Sequence, residues 1–214
     1  MYVPHLYRPK DPAWLLDIIR GNPLATLVSN GPDGPLATHL PVIPHESTLA
    51  EGTGDTGLVG TRFHGHLNRS NPHWAALYSA PRALLVFRGP GAYVSPTVYD
   101  VTPAAPTWNF VAVHVRGTIT PLPATGETLD VIRATVRTYE RDHGTGWDMT
   151  ESVPYFKRIL PAVGAFRFDV TEADAMFKLS QEKPDETRDR VAKAFACSGS
   201  GSARDVADAM RHYS

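Results

Sequence analysis

The sequence is poor in several things that would point elsewhere. It has one cysteine, Cys197, which excludes an intramolecular disulfide and a cysteine-built metal cluster. No basic residue neighbours Cys197 to activate it, so it is read as packing. Neither charge is in excess: 21 Lys and Arg stand against 22 Asp and Glu, with no long basic run. Electrostatic capture of nucleic acid is therefore not expected. No apolar stretch reaches 18 residues, and the opening MYVPHLYRPKDPAW has no apolar signal core. The expectation is a cytoplasmic protein with no membrane partner. Also missing are G-x-G-x-x-G, a Walker loop, HExxH and G-x-S-x-G, which removes the common dinucleotide, P-loop, zincin and hydrolase readings.

What is present is heavily punctuated. Nineteen prolines and seventeen glycines break 214 residues into short pieces, which favours strands and turns over long helices. Asp11, Pro12 and Gly21 bracket a first helix carrying the stripe Trp14, Leu15, Ile18 and Ile19. Runs at 24–29 and 36–43 flank a turn at 30–34 and predict a hairpin. A Gly/Thr-rich loop at 51–57 leads to a strand at 58–63, and the segment 68–70 is expected to start a helix bounded by Asn71-Pro72. A second hairpin is expected from 83–87 and 92–95 around Arg88-Gly-Pro-Gly91. The segment 96–106 is proline-rich and expected to be irregular, and 108–120 is the longest strand candidate. Helices are predicted at 127–141, 152–160, 184–196 and 203–212, with a last barrel strand at 163–170. The sum is a mainly β protein with peripheral helices (α+β), read as one domain over 1–214 with a helical C-terminal extension from about 184.

Three stretches carry more chemistry than a plain barrel needs. In ATHLP, at 37–41, strand alternation puts Thr38 and Leu40 on one face and His39 on the other, which also suits a polar barrel wall. In FHGHLNRSNP, at 63–72, His64 and His66 share a face if the segment is extended. Neutral imidazole ligates iron, copper or zinc, whereas a bare HxH equally suits histidines bonded in a turn. Arg69 and free N–H groups near Asn71 suit a phosphate or carboxylate. The third stretch joins Tyr93, Ser95 and Tyr99 to Trp108 and Asn109, aromatic and polar groups that can wall a flat ring or plug a barrel end. Later, Lys178, Ser180 and Gln181 offer a cation, a hydroxyl and an amide in one turn.

In order, MYVP, PLATLVS, ATHLPV, GHLNRSNPHW, FRGPGAYVSP, PTWNFVAVHVRG and KLSQ resemble the PaiB family from Met1 to about Gln181. That resemblance implies a split β-barrel of the FMN-binding, flavin-reductase-like type, a homodimer with cofactor sites at its interface, and FMN-binding negative transcriptional regulation. The spellings SPTVY (95–99), APTW (105–108) and KLSQEKP (178–184) look closer to the haem-dependent piperazate synthase branch. That branch implies haem b, and an N-hydroxylated ornithine as substrate: N5-hydroxy-L-ornithine closes to piperazic acid with N–N bond formation and loss of water. On this reading His66 is the metal ligand, with His64 second. Arg69, Asn71, Lys178 and Gln181 join them in binding the cofactor, and Thr38, His39, Ser95, Trp108 and Asn109 line the catalytic pocket. FMN is the alternative cofactor, with its phosphate on the Arg69 turn. A flavin-reducing or haem-degrading oxidoreductase on the same barrel is a third reading.

Overall fold

The computed structural model describes every residue except Glu51, Thr53 and Ser214. Two residues of the 51–57 loop therefore lie outside the described residues. The chain forms two compact units, each built from separated stretches. The barrel unit comprises Pro23–Val86 and Val115–Ala173; the helical unit comprises Met1–Asn22, Phe87–His114 and Asp174–Ser214.

The barrel unit holds β1 (Leu24–Gly31), β2 (Gly34–Pro44) and β3 (Arg62–Asn68), with parts of β4 (Arg82–Val94), β5 (Thr107–Pro121) and β6 (Val163–Lys178). The strand order is β1-β2-β3-β6-β5-β4, and β1 closes the barrel by pairing antiparallel with β4. Alternation is clean: Ala25 and Leu27 of β1, Phe63 of β3 and Phe168 of β6 are buried, while their neighbours along each strand are more exposed. The fold is mainly antiparallel β with peripheral helices.

Helix α1 (Ala13–Gly21) lies in the helical unit, and four helices belong to the barrel unit: α2 (Glu46–Leu49), α3 (Pro72–Ser79), α4 (Gly126–Asp142) and α5 (Val153–Ile159). The helix start expected at 68–70 falls at Pro72 instead. Asn71 caps the helix by accepting from His73 N at 2.9 Å, and Pro72 needs no donor in the first turn. The residues before it finish β3. The spacing-three-and-four stripe of α4 buries Leu129 and Ile132 against Phe156 and Leu160. The same helix packs on β2 and β3. Its Tyr139 hydroxyl donates to Val42 O at 3.2 Å, and burial pushes that phenol up to about 12.

Three expectations about strands need correction. The strand expected at 58–63 runs instead over Arg62–Asn68, so HGHLN takes the extended form rather than the turn. The Arg88-Gly-Pro-Gly91 segment is no turn: β4 runs through it unbroken. It can do so because β1 pairs with β4 only over Ala83–Val86, so the missing N–H of Pro90 breaks no bond to β1. A Cβ on Gly89 would lie 3.1 Å from Val111 Cβ, so glycine here serves close strand approach. Finally, β6 does not stop at Val170. After the exposed Thr171 and Glu172 it resumes with buried Ala175 and Phe177, which makes it longer than β5.

The helical unit holds the far parts of β4, β5 and β6 with α1 (Ala13–Gly21), α6 (Asp185–Ala196) and α7 (Gly201–His212). Asp11 Oδ1 accepts from Ala13 N at 2.8 Å, and α1 buries Leu15, Ile18 and Ile19. The C-terminal helices pack on each other and into this unit. The Tyr213 ring sits 5.0 Å from Phe177 and 5.2 Å from Trp14. Cys197, read from sequence as packing, is exposed at the end of α6.

Helix α3 packs on β1 and β2, and its Trp74 also meets β6 at Gly164. A Cβ on Gly164 would lie 2.5 Å from Trp74 Cε3, and Trp74 is buried. Gly164→Ala should overpack this seat and cost about 1–3 kcal/mol. Urea unfolding followed by tryptophan fluorescence measures it; an unchanged midpoint would show that Trp74 has room to move.

Candidate functional site

Strands β2 and β3 pair over three residues only, Val42–Pro44 against Phe63–Gly65. Pro41 comes next on β2 and has no N–H to carry the ladder on. Beyond it the strands part. Residues Thr38–Pro41 line one side of the resulting cleft and His66–Asn68 the other, while Ile159, Ala162 and Val163 form a wall at the end of α5. The cleft measures about 480 Å³, within the range of small-molecule sites.

His64 and His66 do share a face of β3, between buried Phe63, Gly65 and Leu67. Their surroundings differ. His66 lines the cleft, and its Nδ1 is buried with no hydrogen-bond partner. Burial holds its imidazole below the usual histidine range, so it is neutral with a lone pair to offer at pH 7. His64 does not line the cleft. Its ring meets that of His45 edge-on at 5.0 Å. Burial, then His45, Arg62 and Arg167, lower it to about 4.

Thr38, His39 and Asn71 also line the cleft. His39 is exposed, with Nδ1 3.0 Å from Thr26 Oγ1. Asn71 turns its amide nitrogen to Thr38 Oγ1 at 3.2 Å. Thr38 Oγ1 lies 2.9 Å from His73 Nδ1, and Ser29 Oγ lies 2.8 Å from His73 Nε2. Ser29 and His73 are buried polar residues that sequence reasoning passed over. The sequence signal was there: His73 follows a cap-plus-proline start, so its side chain leaves the first turn of α3, and Ser29 is a polar residue at a core-facing strand position.

Arg69 is spent on the fold. Its Nε donates to Val163 O at 2.8 Å, its Nη2 donates to Leu122 O at 3.2 Å, and its guanidinium lies over the Trp74 ring at 5.0 Å. It ties the end of β3 to β6 with two of its five N–H donors, and it does not line the cleft.

The remaining candidates belong to the helical unit and do not line the cleft. Asn109 is fully buried: its Nδ2 donates to Ser180 Oγ at 2.9 Å and faces Met210 Sδ at 3.7 Å. This fixes Ser180, which holds a positive φ of 65°. Trp108 is half exposed, its ring 6.0 Å from Tyr93. Ser95 caps a short turn by accepting from Thr97 N. Gln181 closes its own turn by accepting from Leu179 N at 2.7 Å and donating to Phe177 O. Lys178 donates to Thr107 Oγ1 and lies over the Tyr7 ring at 5.9 Å. Of the eleven sequence candidates, the cleft thus gathers Thr38, His39, His66 and Asn71. Among the described residues no group of three or more His, Cys, Asp or Glu side chains could hold a metal ion, so a metal here must bring other ligands of its own. No helix among them is long and apolar enough to cross a membrane.

Residues 1–172 match the family described as "Putative FMN-binding domain". The chain is 27% identical to "Protease synthase and sporulation protein PAI 2" of Bacillus subtilis, over 98% of this chain and 96% of that one. Among solved structures it resembles a conserved hypothetical protein of Mycobacterium tuberculosis, with TM-score 0.56 and 14% identity over 86% of this chain and 94% of that one. It also resembles the FAD and haem binding protein of Mycobacterium smegmatis, with TM-score 0.56 and 15% identity over 83% of this chain and 76% of that one. At these identities the structural likenesses establish the fold.

The histidines set a pH dependence. Unfolded His64 takes up a proton near pH 6.5, and the folded residue does so only near 4. The unfolded state therefore binds more protons between these values, so stability is full above about pH 6.5 and falls as pH drops toward about 4. Burial of His66 and His73 acts in the same direction. The urea midpoint of the cofactor-free protein should fall over this window, and His64→Gln should make the fall shallower. An equal fall in the variant would show that His64 titrates normally.

Proposed function

The chain belongs to the FMN-binding-domain family, and on that premise we propose that it binds haem through His66 in the cleft between β2 and β3. The observation that carries this reading is a neutral imidazole whose buried Nδ1 has no partner, set in a cleft of small-molecule size. A buried polar atom left unsatisfied is costly, and a bond to a bound group relieves that cost. A relative in fold, the mycobacterial FAD and haem binding protein, lends support. The reaction is the one implied by the piperazate synthase-like spellings: cyclisation of N5-hydroxy-L-ornithine to piperazic acid.

Bound here, haem iron supplies a Lewis acid that polarises the hydroxylamine N–O bond. The chain supplies the rest. The bond between the α-nitrogen and N5 forms as the N–O bond breaks; the α-amine loses a proton, the departing hydroxide gains one, and water leaves with no net redox change. His39 is the proton carrier with access to the cleft, since its Nδ1 rests against Thr26 and Nε2 is left to exchange. The apolar wall of Leu40, Ile159 and Val163 presses the substrate's methylenes into a bend, which is an entropic contribution.

The family description favours a second reading, an FMN-binding regulator. Against it stands the place of Arg69, which does not line the cleft and is bonded to two carbonyls and packed on a tryptophan face. The spectrum of the purified protein separates the two. A Soret band that His66→Ala abolishes and His64→Ala retains is expected; a flavin spectrum, or a Soret band indifferent to His66, would overturn the haem assignment. Incubation of the haem-loaded protein with N5-hydroxy-L-ornithine should give a product lighter by one water, and its absence with verified substrate would remove the cyclase.

A further inference from the structure

The hydrogen-bond directions around His73 can be assigned without seeing a hydrogen. Asn71 Oδ1 accepts from the backbone N–H of His73, which fixes the amide orientation, so Asn71 Nδ2 donates to Thr38 Oγ1. His73 then bridges Thr38 and Ser29 in one of two ways. If the ring proton sits on Nε2, it donates to Ser29, and the Ser29 O–H is left without an acceptor. Ser29 is 5% exposed and has no other side-chain bond among the described residues, so that arrangement strands a buried donor. If the ring proton sits on Nδ1, Ser29 donates to Nε2 and His73 donates to Thr38. Thr38 Oγ1 then accepts twice, and its own proton has one place to go: the cleft that Thr38 lines. Burial also keeps His73 neutral, as either arrangement requires.

We propose that Ser29 and His73 turn the Thr38 hydroxyl into a donor-only group in the cleft, and that with the second amide proton of Asn71 it forms a subsite for a carboxylate. Neither group has an acceptor to show in that direction: Thr38 oxygen is filled by two donors, and Asn71 Oδ1 is held by the helix cap. A ligand group offering N–H at this point meets only protons, whereas a carboxylate oxygen meets two. His73 touches no ligand; it is a positioning residue acting through Thr38. The inference rests on the same cleft as the haem reading. Two carboxylates could occupy the subsite there: that of an amino-acid substrate, or a haem propionate. The donor pair itself needs no haem.

The test starts on the cofactor-free protein. Nitrogen-15 NMR of the histidine rings should show His73 protonated on Nδ1; protonation on Nε2 overturns the proposal. Binding is then compared in two pairs, L-ornithine against 1,4-diaminobutane, and haem against its dimethyl ester, for the wild type, Thr38→Val and Thr38→Ser. In at least one pair the carboxylate form should bind the wild type roughly tenfold or more tightly. Thr38→Val should collapse that preference and Thr38→Ser restore it. The pair that responds names the source of the carboxylate. If neither pair discriminates in the wild type, or Thr38→Val keeps the preference, the subsite does not exist. Should Thr38→Val fail to fold, the ring tautomer and the wild-type discrimination still decide. Loss of haem binding with the ornithine preference intact would count against the haem reading and leave the subsite standing.

Discussion

Beyond Val42–Pro44 and Phe63–Gly65, β2 and β3 have no shared ladder, and the cleft exists because of that parting. A closed antiparallel barrel normally satisfies its backbone all the way round. Here Pro41 stands at the point where β2 would have to offer its next donor, and it has none. The strands keep their other partners: β2 pairs with β1 over Gly34–Pro41, and β3 with β6 along its whole length. The opening is thus held rigidly by two intact ladders, and side chains from both faces of each strand reach its rim.

What lines the opening follows from how nearby polar groups are consumed. Arg69 donates to the carbonyls of Val163 and Leu122 and lies over Trp74, so the cationic group most suggestive in sequence acts as a structural clamp. Asn71 is spent halfway: one amide atom caps α3 and one proton reaches Thr38. His66 is not spent on hydrogen bonds, and its buried nitrogen is the local imbalance. The difference between the last two and the first is that Asn71 and His66 keep polar capacity at the cleft.

The helical unit tells a contrary story about the same kind of residue. Asn109 and Gln181 look like ligand contacts in sequence, yet one seals a core with Ser180 and Met210 and the other closes its own turn. A buried amide must find partners wherever it is placed, and here the backbone and neighbouring side chains supplied them first. The Arg88-Gly-Pro-Gly91 segment misleads for a related reason. Gly and Pro mark turns where a chain is free to bend, but in β4 they answer to the close approach of Val111 and to a strand edge without a β1 partner.

The sequence by itself determined what depends on short-range rules. The hairpin of β1 and β2, the capped α1, the amphipathic α4, the two terminal helices and the shared face of His64 and His66 all follow from periodicity, caps and alternation. Family membership was legible as well, because ordered motifs survive spread along the whole chain. Tertiary structure decided which of two equivalent histidines lines the cleft with an orphaned nitrogen and which sits against His45, since burial depends on what packs over each ring. It also decided that His73, four residues past the arginine that drew attention, meets Ser29 and Thr38. Those contacts span 44 and 35 positions, and no local pattern encodes a partner that distant.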